Sequence, residues 1–229
     1  MNAFDSDLFV IAGTDTEIGK TTVTSALLRA LVDRGVDARG IKPVESGTRD
    51  QPSRNHEDGR RLARAARQDD PAEAFQRLQA PLAPPVAAAR EGVTLHPQRW
   101  IQRIDALRND ADLLFVEGAG GLLSPLADDL DTRQLALSLQ APVILVAKNA
   151  LGTLNHTRLT LEAVDHAGLT TTCVIFSAPQ HPDASTSSNA DVLRALYPNL
   201  PVIEFPRVAS VDEGAEALAT STLLDLLIP

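Results

Sequence analysis

The 229-residue chain carries 21 lysines and arginines against 30 aspartates and glutamates, which gives a formal net charge of −9 at neutral pH. This acidic balance repels polyanions, so a nucleic-acid partner is not expected. Every apolar run is shorter than the roughly eighteen residues that a membrane span needs. We therefore expect a cytoplasmic protein without a membrane segment.

Short apolar runs alternate with longer segments of helical period, a pattern typical of parallel α/β sheets. Strands are predicted at 8–12, 38–42, 113–117, 143–147, 172–176 and 202–205. Helices are predicted at 21–34, 57–67, 98–108, 132–140, 155–167, 186–197 and 220–227. Because several strands are continuously apolar, helices should cover both faces of the sheet. The sequence predicts a single α/β domain over residues 1–229, a three-layer sandwich with a mostly parallel sheet.

The segment 79–97 is rich in proline and alanine and interrupts this alternation. A linker between two domains is one interpretation. A loop packed over the sheet edge is favoured, because strands on both sides of the segment are needed to complete one core.

A glycine-containing segment between the first strand and the first helix resembles a phosphate-binding Walker A loop. It runs Gly13-Thr14-Asp15-Thr16-Glu17-Ile18-Gly19-Lys20-Thr21. Backbone N–H groups at such a turn converge on a polyphosphate at the helix N-terminus. Lys20 adds positive charge beside the β and γ phosphates, and Thr21 offers a hydroxyl to Mg²⁺. The strict pattern has glycine at position 14, where this chain has threonine, so the loop is a variant.

The strand 113–117 ends in an acid, Glu117, at the edge where ligands gather in parallel sheets. It resembles a Walker B element, whose carboxylate holds magnesium. The sequence Gly118-Ala119-Gly120-Gly121 follows and lets the backbone approach a ligand closely. A glutamate that is merely solvated at a strand end is the alternative interpretation.

Two further polar residues have less specific signals. Lys42 ends the second strand and precedes Pro43, which favours an extended backbone and directs Lys42 toward the phosphate loop. Taken alone, Lys42 is more simply interpreted as a solvated lysine. Asp58 is either a site residue or a first-turn charge that stabilises a helix N-terminus.

Four ordered motifs together resemble the dethiobiotin synthetase family. They are the segments 13–21, 42–47 (Lys-Pro-Val-Glu-Ser-Gly), 116–121 (Val-Glu-Gly-Ala-Gly-Gly) and 151–156 (Leu-Gly-Thr-Leu-Asn-His). The resemblance implies a P-loop fold and an ATP- and Mg²⁺-dependent ligase. In this family 7,8-diaminononanoate takes up CO2 as a carbamate, ATP converts the carbamate to a carbamic-phosphoric anhydride, and the second amine closes the ureido ring of dethiobiotin.

The resemblance also implies roles for individual residues. Lys42 and Lys20 would be catalytic. The magnesium shell would comprise Thr21, Asp58 and Glu117. Nucleotide phosphates would be bound by Glu17, Ile18, Gly19, Lys20, Thr21, Thr22, Asp58, Glu117, Gly118, Ala119 and Gly120. The nucleotide base would lie against Ser177, Ala178, Pro206, Arg207, Val208 and Glu213. The diamine would contact Ser46 and, in a homodimer, Gly152 and Asn155 at the subunit interface.

One departure from the family concerns the nucleotide base. Members commonly carry an asparagine that reads adenine just after the fifth strand, and this chain has Ser177 there. A hydroxyl cannot offer the paired donor and acceptor of an amide. We therefore predict that ATP is favoured over GTP or CTP by less than is usual in the family.

Related classes of P-loop protein fit the sequence less well. A switch ATPase of the partitioning type carries a signature lysine four residues before the second loop glycine, where this chain has Asp15. An amidotransferase of the cobyrinate type needs a glutaminase domain with a nucleophilic cysteine, and neither the length nor Cys173 provides one. If the protein were a non-enzymatic nucleotide-binding module, Lys42, Asp58 and Glu117 would have no evident function.

Overall fold

A computed structural model describes residues 6–228 of the protein. The strands in this part of the chain are β1 (Leu8–Gly13), β2 (Ala38–Ile41), β3 (Val44–Glu45), β4 (Gln76–Arg77), β5 (Leu113–Glu117), β6 (Pro125–Ala127), β7 (Leu130–Asp131), β8 (Val143–Lys148), β9 (Thr171–Ser177) and β10 (Val202–Phe205). The helices are α1 (Lys20–Asp33), α2 (Asp58–Ala66), α3 (Pro84–Glu91), α4 (Pro97–Arg108), α5 (Thr132–Leu139), α6 (Thr153–His166), α7 (Asn189–Leu196), α8 (Val211–Ala219) and α9 (Leu223–Leu227). A 3₁₀ turn at Arg54–His56 precedes α2.

The central sheet has the strand order β10-β9-β8-β1-β5-β2, and every neighbouring pair is parallel. Side chains alternate along β1, with Leu8, Val10 and Ala12 on one face and Phe9 and Ile11 on the other. All five are buried, which explains why β1 is a continuous apolar run in the sequence. The sheet therefore has two apolar faces, and each must be covered.

Helices cover both of these faces. The face of Phe9 is covered by α1, α2, α8 and α9, which contribute the buried residues Leu27, Leu62, Leu218 and Leu224. The opposite face is covered by apolar residues of α3, α4, α5, α6 and α7. The short strands form two separate ladders, with β3 parallel to β4 and β6 antiparallel to β7. The predicted three-layer α/β sandwich is confirmed.

The strand order brings three loops to one place. The chain first moves outward from β1 to β2, and later crosses from β5 over β1 to β8. The order therefore reverses beside β1, and ligands bind at such reversals in open α/β sheets. The segments that follow β1, β2 and β5 open at the same carboxyl edge.

The predicted strands are all present, within one residue at each end. The predicted helices agree within three residues, and the largest differences fall at helix starts. Helix α6 begins at Thr153 because Gly152 turns the chain with φ of 91°. Helix α7 begins only at Asn189, whose buried side chain donates to Asn149 Oδ1 at 2.8 Å. Every helix among residues 6–228 is too short or too polar to cross a membrane.

The loop prediction for 79–97 was wrong at Pro84–Glu91, which forms α3. Proline is tolerated in the first turn of a helix because the N–H groups there have no helical acceptor. The alanines that follow Pro84 and Pro85 have high helix propensity, and Gly92 ends the helix with φ of 64°. The segment is nevertheless packed on the rest of the molecule, since Ala87 and Ala88 are buried in the core cluster on one face of the sheet and α3 packs on β6.

Helix α8 lies outside the predicted helices. Gly214 in its middle lowers helix propensity and obscures the pattern. A β-carbon at Gly214 would lie 2.8 Å from Ala26 Cβ and 3.1 Å from the Phe205 ring. Glycine is therefore required there for α8 to pack closely on α1.

Candidate active site

The segment between β1 and α1 forms a compact loop at the carboxyl edge of the sheet. Its start is fixed by Thr14, whose N–H donates to Val146 O on the neighbouring strand at 3.1 Å. A β-carbon at Gly13 would lie 2.9 Å from Ile18 Cδ1 and 3.0 Å from Asp15 O. The first glycine of the loop thus lies one residue earlier than in the strict Walker A pattern, at a position where the backbone of Asp15 approaches closely.

The second loop glycine, Gly19, leads directly into α1. Its φ of 99° lies in the left-handed region, which glycine adopts without strain. A β-carbon there would also lie 2.6 Å from Ser177 Oγ. No side chain caps α1, which begins at Lys20. Its first N–H groups lack helical acceptors and are available to an anion, so the loop is suited to phosphate.

Lys20 folds back over the loop, where its Nζ donates to Asp15 O at 2.9 Å. Only 7% of the residue is exposed. Burial, together with the nearby charge of Lys42, lowers the pKa of Lys20 from 10.5 to about 8. A bound polyphosphate would favour the charged form by adding negative charge beside it. The protein alone therefore compensates the positive charge of Lys20 poorly, and a bound phosphate would compensate it well.

Lys42 and Thr21 converge on Glu117 at the end of β5. Lys42 Nζ donates to Glu117 Oε1 at 2.7 Å and to Gly118 O at 3.0 Å. Thr21 Oγ1 donates to the same carboxylate oxygen at 2.7 Å. Asp58, the first residue of α2, places Oδ2 3.0 Å from Lys42 Nζ. The ends of β2 and β5 and the starts of α1 and α2 thus meet in one cluster.

The ion pair between Lys42 and Asp58 keeps both of its partners charged. Lys42 is buried, and burial alone would lower its pKa, but the negative charges of Asp58 and Glu117 outweigh that effect and raise it. Burial likewise tends to raise the pKa of Asp58, but Lys42 lowers it on balance. Lys42 is therefore a permanent cation at neutral pH and is not suited to act as a general base.

The oxygen atoms of the cluster fit Mg²⁺. Glu117 Oε2 is buried without a hydrogen-bond partner, and the Thr21 hydroxyl and the Asp58 carboxylate belong to the same cluster. Enzymes that transfer phosphoryl groups commonly hold Mg²⁺ with one or two carboxylates and the phosphates of the substrate. No group of three or more His, Cys, Asp or Glu residues forms a protein-only metal cage in the described part of the chain. This donor set is the one expected for a metal that is shared with a nucleotide.

Two adjacent cavities share the phosphate loop. The larger, of about 690 Å³, is lined by Lys20, Thr21, Lys42, Ser46, Asp58, Ala119 and Gly120. The smaller, of about 410 Å³, is lined by Ser177, Ala178, Pro206, Arg207 and Val208. Both are lined by Glu17, Ile18, Gly19 and Thr22. Most of the predicted phosphate contacts and the predicted diamine contact Ser46 therefore lie on one side of the loop, and most of the predicted base contacts lie on the other.

Five predicted contact residues lie outside both linings: Glu117 and Gly118, which accept hydrogen bonds from Lys42, and Glu213, Gly152 and Asn155. Ser210 caps α8 by accepting the Glu213 N–H on its Oγ at 3.1 Å, and Glu213 Oε2 accepts the Ala209 N–H at 2.7 Å, so the Glu213 side chain is bound to the backbone before the helix. Gly152 and Asn155 lie at the exposed start of α6. Their substrate contacts remain predictions.

Two charged residues that the motif analysis did not single out also line the larger cavity. Arg61 donates from Nη2 to Thr22 Oγ1 at 3.0 Å. Its spacing of three residues from Asp58 places both on one helix face and is a signal that the sequence offers. Glu45 is buried and lines this cavity together with Lys42 and Ser46. Its local sequence does not reveal that its side chain accepts hydrogen bonds from the start of α2.

Solved structures with a similar fold include a chain of the MinC:MinD cell division protein complex of Aquifex aeolicus. The TM-score is 0.57 at 14% identity, covering 97% of this chain and 94% of that chain. A ParA family ATPase from Chlorobium tepidum gives a TM-score of 0.57 at 11% identity, covering 96% and 95%. Identities this low show the shared fold alone. The fold and the loop geometry define a P-loop nucleotide-binding protein.

Sequence relatives narrow this class. Residues 7–214 match the AAA domain family. The chain belongs to the family of ATP-dependent dethiobiotin synthetases. It is 39% identical to BioD of Mycobacterium avium over 217 residues, 93% of each chain, and 40% identical to BioD of Aromatoleum aromaticum over 215 residues, 90% of this chain and 93% of that one. It is 45% identical to BioD of Ralstonia nicotianae over 166 residues, 71% and 72% of the two chains. The predicted enzyme class, an ATP-dependent ligase, is confirmed, and a switch ATPase is not favoured.

Proposed function

We propose that this enzyme closes the ureido ring of dethiobiotin from 7,8-diaminononanoate, CO2 and ATP. One amine of the diamine takes up CO2 as a carbamate. A carbamate oxygen then attacks the γ-phosphorus of ATP, and ADP leaves with the electron pair of the broken bond. The second amine attacks the carbon of the carbamic-phosphoric anhydride, phosphate leaves, and the ring is closed. Because the reaction consumes ATP, a cytoplasmic location is part of the proposal.

One observation carries this proposal: Lys42 Nζ lies within 3.0 Å of the carboxylates of both Asp58 and Glu117, beside the phosphate loop. A carbamate and a phosphate oxygen that approach to about 4 Å repel each other by roughly 4 kcal/mol at an effective dielectric constant near 20. Lys42 and Lys20 supply positive charge where these anions must meet. Stabilisation of this kind is the main contribution of a protein to phosphoryl transfer.

We assign Mg²⁺ to Thr21, Asp58 and Glu117. The unpartnered Glu117 Oε2 supports this assignment, because a buried carboxylate oxygen without a donor is costly unless a ligand satisfies it. When bound, the metal neutralises charge on the β and γ phosphates. Glu117→Gln should raise the Mg²⁺ concentration needed for nucleotide binding, which calorimetric titration with ADP at several Mg²⁺ concentrations would measure.

The base site is proposed to lie in the smaller cavity, against Ser177 and residues 206–208. Ser177 offers one hydroxyl in place of an amide. ATP should therefore be preferred over GTP and CTP only modestly. A competition assay that shows strict use of ATP would contradict this expectation.

A homodimer is supported by apolar surface near the predicted diamine contacts. Leu151, beside Gly152, is 83% exposed, and Leu159 on α6 is 57% exposed. Leu159 and the half-exposed Leu123 line the same surface groove. Exposed apolar clusters of this kind often mark interfaces. Leu159→Asp should shift the protein toward the monomer in size-exclusion chromatography with light scattering, and an unchanged mass would argue against an interface at this surface.

The overall assignment is tested by phosphate release with ATP, Mg²⁺ and bicarbonate, with and without 7,8-diaminononanoate. We expect release to depend on the diamine and dethiobiotin to accumulate with it in equal amounts, as measured by mass spectrometry. Release that ignores the diamine would indicate a switch ATPase and would refute the proposal.

A further inference from the structure

Glu45 has an unusual position for a carboxylate, because it lies in the short strand β3 and is only 4% exposed. One of its oxygens, Oε1, accepts the backbone N–H of Asp58 at 2.6 Å. The other, Oε2, accepts the backbone N–H of Gly59 at 3.1 Å. Both carboxylate oxygens therefore hold the first turn of α2, whose N–H groups have no helical acceptors.

The surroundings of Glu45 make its charge costly. Burial and the charge of Asp58 raise its pKa, and the two backbone donors and Lys42 only partly offset this. A neutral side chain would avoid that cost. An amide of the same shape, however, has one acceptor oxygen and cannot satisfy both N–H groups. The carboxylate is thus the group that matches this pair of donors.

The segment that carries Glu45 also carries Lys42. It is fixed by the backbone, since Phe75 N–H donates to Lys42 O at 3.0 Å and Leu78 N–H donates to Glu45 O at 2.8 Å. Glu45 therefore connects a rigid segment bearing Lys42 to the start of the helix bearing Asp58. Close packing supports the same placement of α2, because a β-carbon at Gly59 would lie 2.2 Å from the backbone nitrogen of residue 74.

We propose that Glu45 is a positioning residue. Its carboxylate accepts hydrogen bonds from the N-terminus of α2 and so holds the Asp58 carboxylate 3.0 Å from Lys42 Nζ. This inference rests on the proposed function, because it gives Lys42 and Asp58 their roles in the reaction. Glu45 itself contacts neither reacting group in this account. Its effect on catalysis passes through Asp58.

Kinetics of Glu45→Gln test the role. We expect kcat to fall by about 10- to 100-fold, since displacing a catalytic group by about 1 Å has effects of that size. The dissociation constant of ADP measured without Mg²⁺ should change by less than about twofold, because the phosphate loop is untouched. Glu73→Gln is the control, since Glu73 also pairs with side chains at the start of α2 but lies at the surface, and its kcat should stay near that of the unmodified enzyme.

A double-mutant cycle separates positioning from a general structural effect. If Glu45 acts through Asp58, Glu45→Gln should change kcat little in an Asp58→Asn background. Additive losses would overturn the proposal, and so would an unchanged kcat in the single variant or equal losses in kcat and ADP affinity.

Amide hydrogen exchange in the unmodified protein gives a test that does not depend on any variant folding. The N–H groups of residues 58 and 59 should be protected although they lie in a first helical turn. Rapid exchange at both N–H groups would refute the proposed hydrogen bonds from them to Glu45. Failure of diamine-dependent phosphate release in the unmodified enzyme would instead refute the proposed function and would leave the exchange result intact.

Discussion

Replacing Lys20 by methionine should stabilise the protein while it abolishes nucleotide binding. The pKa of Lys20 is about 8 in the folded protein against an ordinary 10.5, so folding with the charge in place is opposed by about 3 kcal/mol, at about 1.4 kcal/mol for each pKa unit. The variant loses the hydrogen bond to Asp15 O, which contributes about 1 kcal/mol. At pH 7 and without nucleotide, Lys20→Met should therefore be more stable by about 2 kcal/mol.

The pH dependence of this difference has a definite sign. Because the pKa of Lys20 is lower in the folded protein than in the unfolded chain, the unfolded chain binds more protons between about pH 8 and 10.5. The stability of the unmodified protein relative to the variant should rise through this window, and below it the full penalty should apply. Urea unfolding of both proteins at several pH values measures the difference. A variant that is less stable at pH 7, or a difference that does not vary with pH, would refute the reasoning.

Three further predictions concern the same site and the core. Lys42→Ala should lower kcat by at least about 100-fold and change ADP affinity far less, because its cation serves the reacting groups; parallel losses would remove that role. Gly19→Ala should weaken ADP binding and destabilise the fold by about 1–3 kcal/mol. Gly35→Ala is the control, because Gly35 has φ of 83° but no atom within 4 Å of its β-carbon position, so only the smaller conformational cost should appear. Equal losses of stability in the two variants would mean that contact with Ser177 is unimportant. The buried Cys173, whose pKa burial raises to about 12, should react with a thiol reagent only at the rate of unfolding; rapid labelling of the native protein would contradict its burial.

The strands and the phosphate loop were predictable because their signals are local. An apolar run such as 113–117 between turn residues needs no knowledge of its neighbours, and Gly19-Lys20-Thr21 between a strand and a helix has few structural alternatives. Helix α8 and helix α3 were not predictable in the same way. Their patterns are weakened by glycine and proline, and packing against the rest of the molecule determines whether these residues are tolerated.

Some of the site residues could be predicted from the sequence and others could not. Lys42 and Asp58 each had an ordinary surface interpretation in the sequence, and the family resemblance decided between the alternatives. Glu45 had no signal that it holds the start of α2. A carboxylate that accepts N–H groups from residues 13 and 14 positions further along the chain is a long-range contact, which a single sequence does not encode locally.

The sequence by itself determined the layer architecture and the phosphate loop, because hydrophobic period and motif chemistry depend on residue types at short spacing. The kind of reaction was implied by the resemblance of its motifs to a known family. Only the tertiary structure decided which charges meet. The distance from Lys42 to Asp58 and Glu117 follows from the order in which β2, β5 and β1 lie side by side, and that order is set by the packing of the whole sheet. The energy of a buried charge depends on such distances, so the protonation and reactivity of the site are properties of the fold.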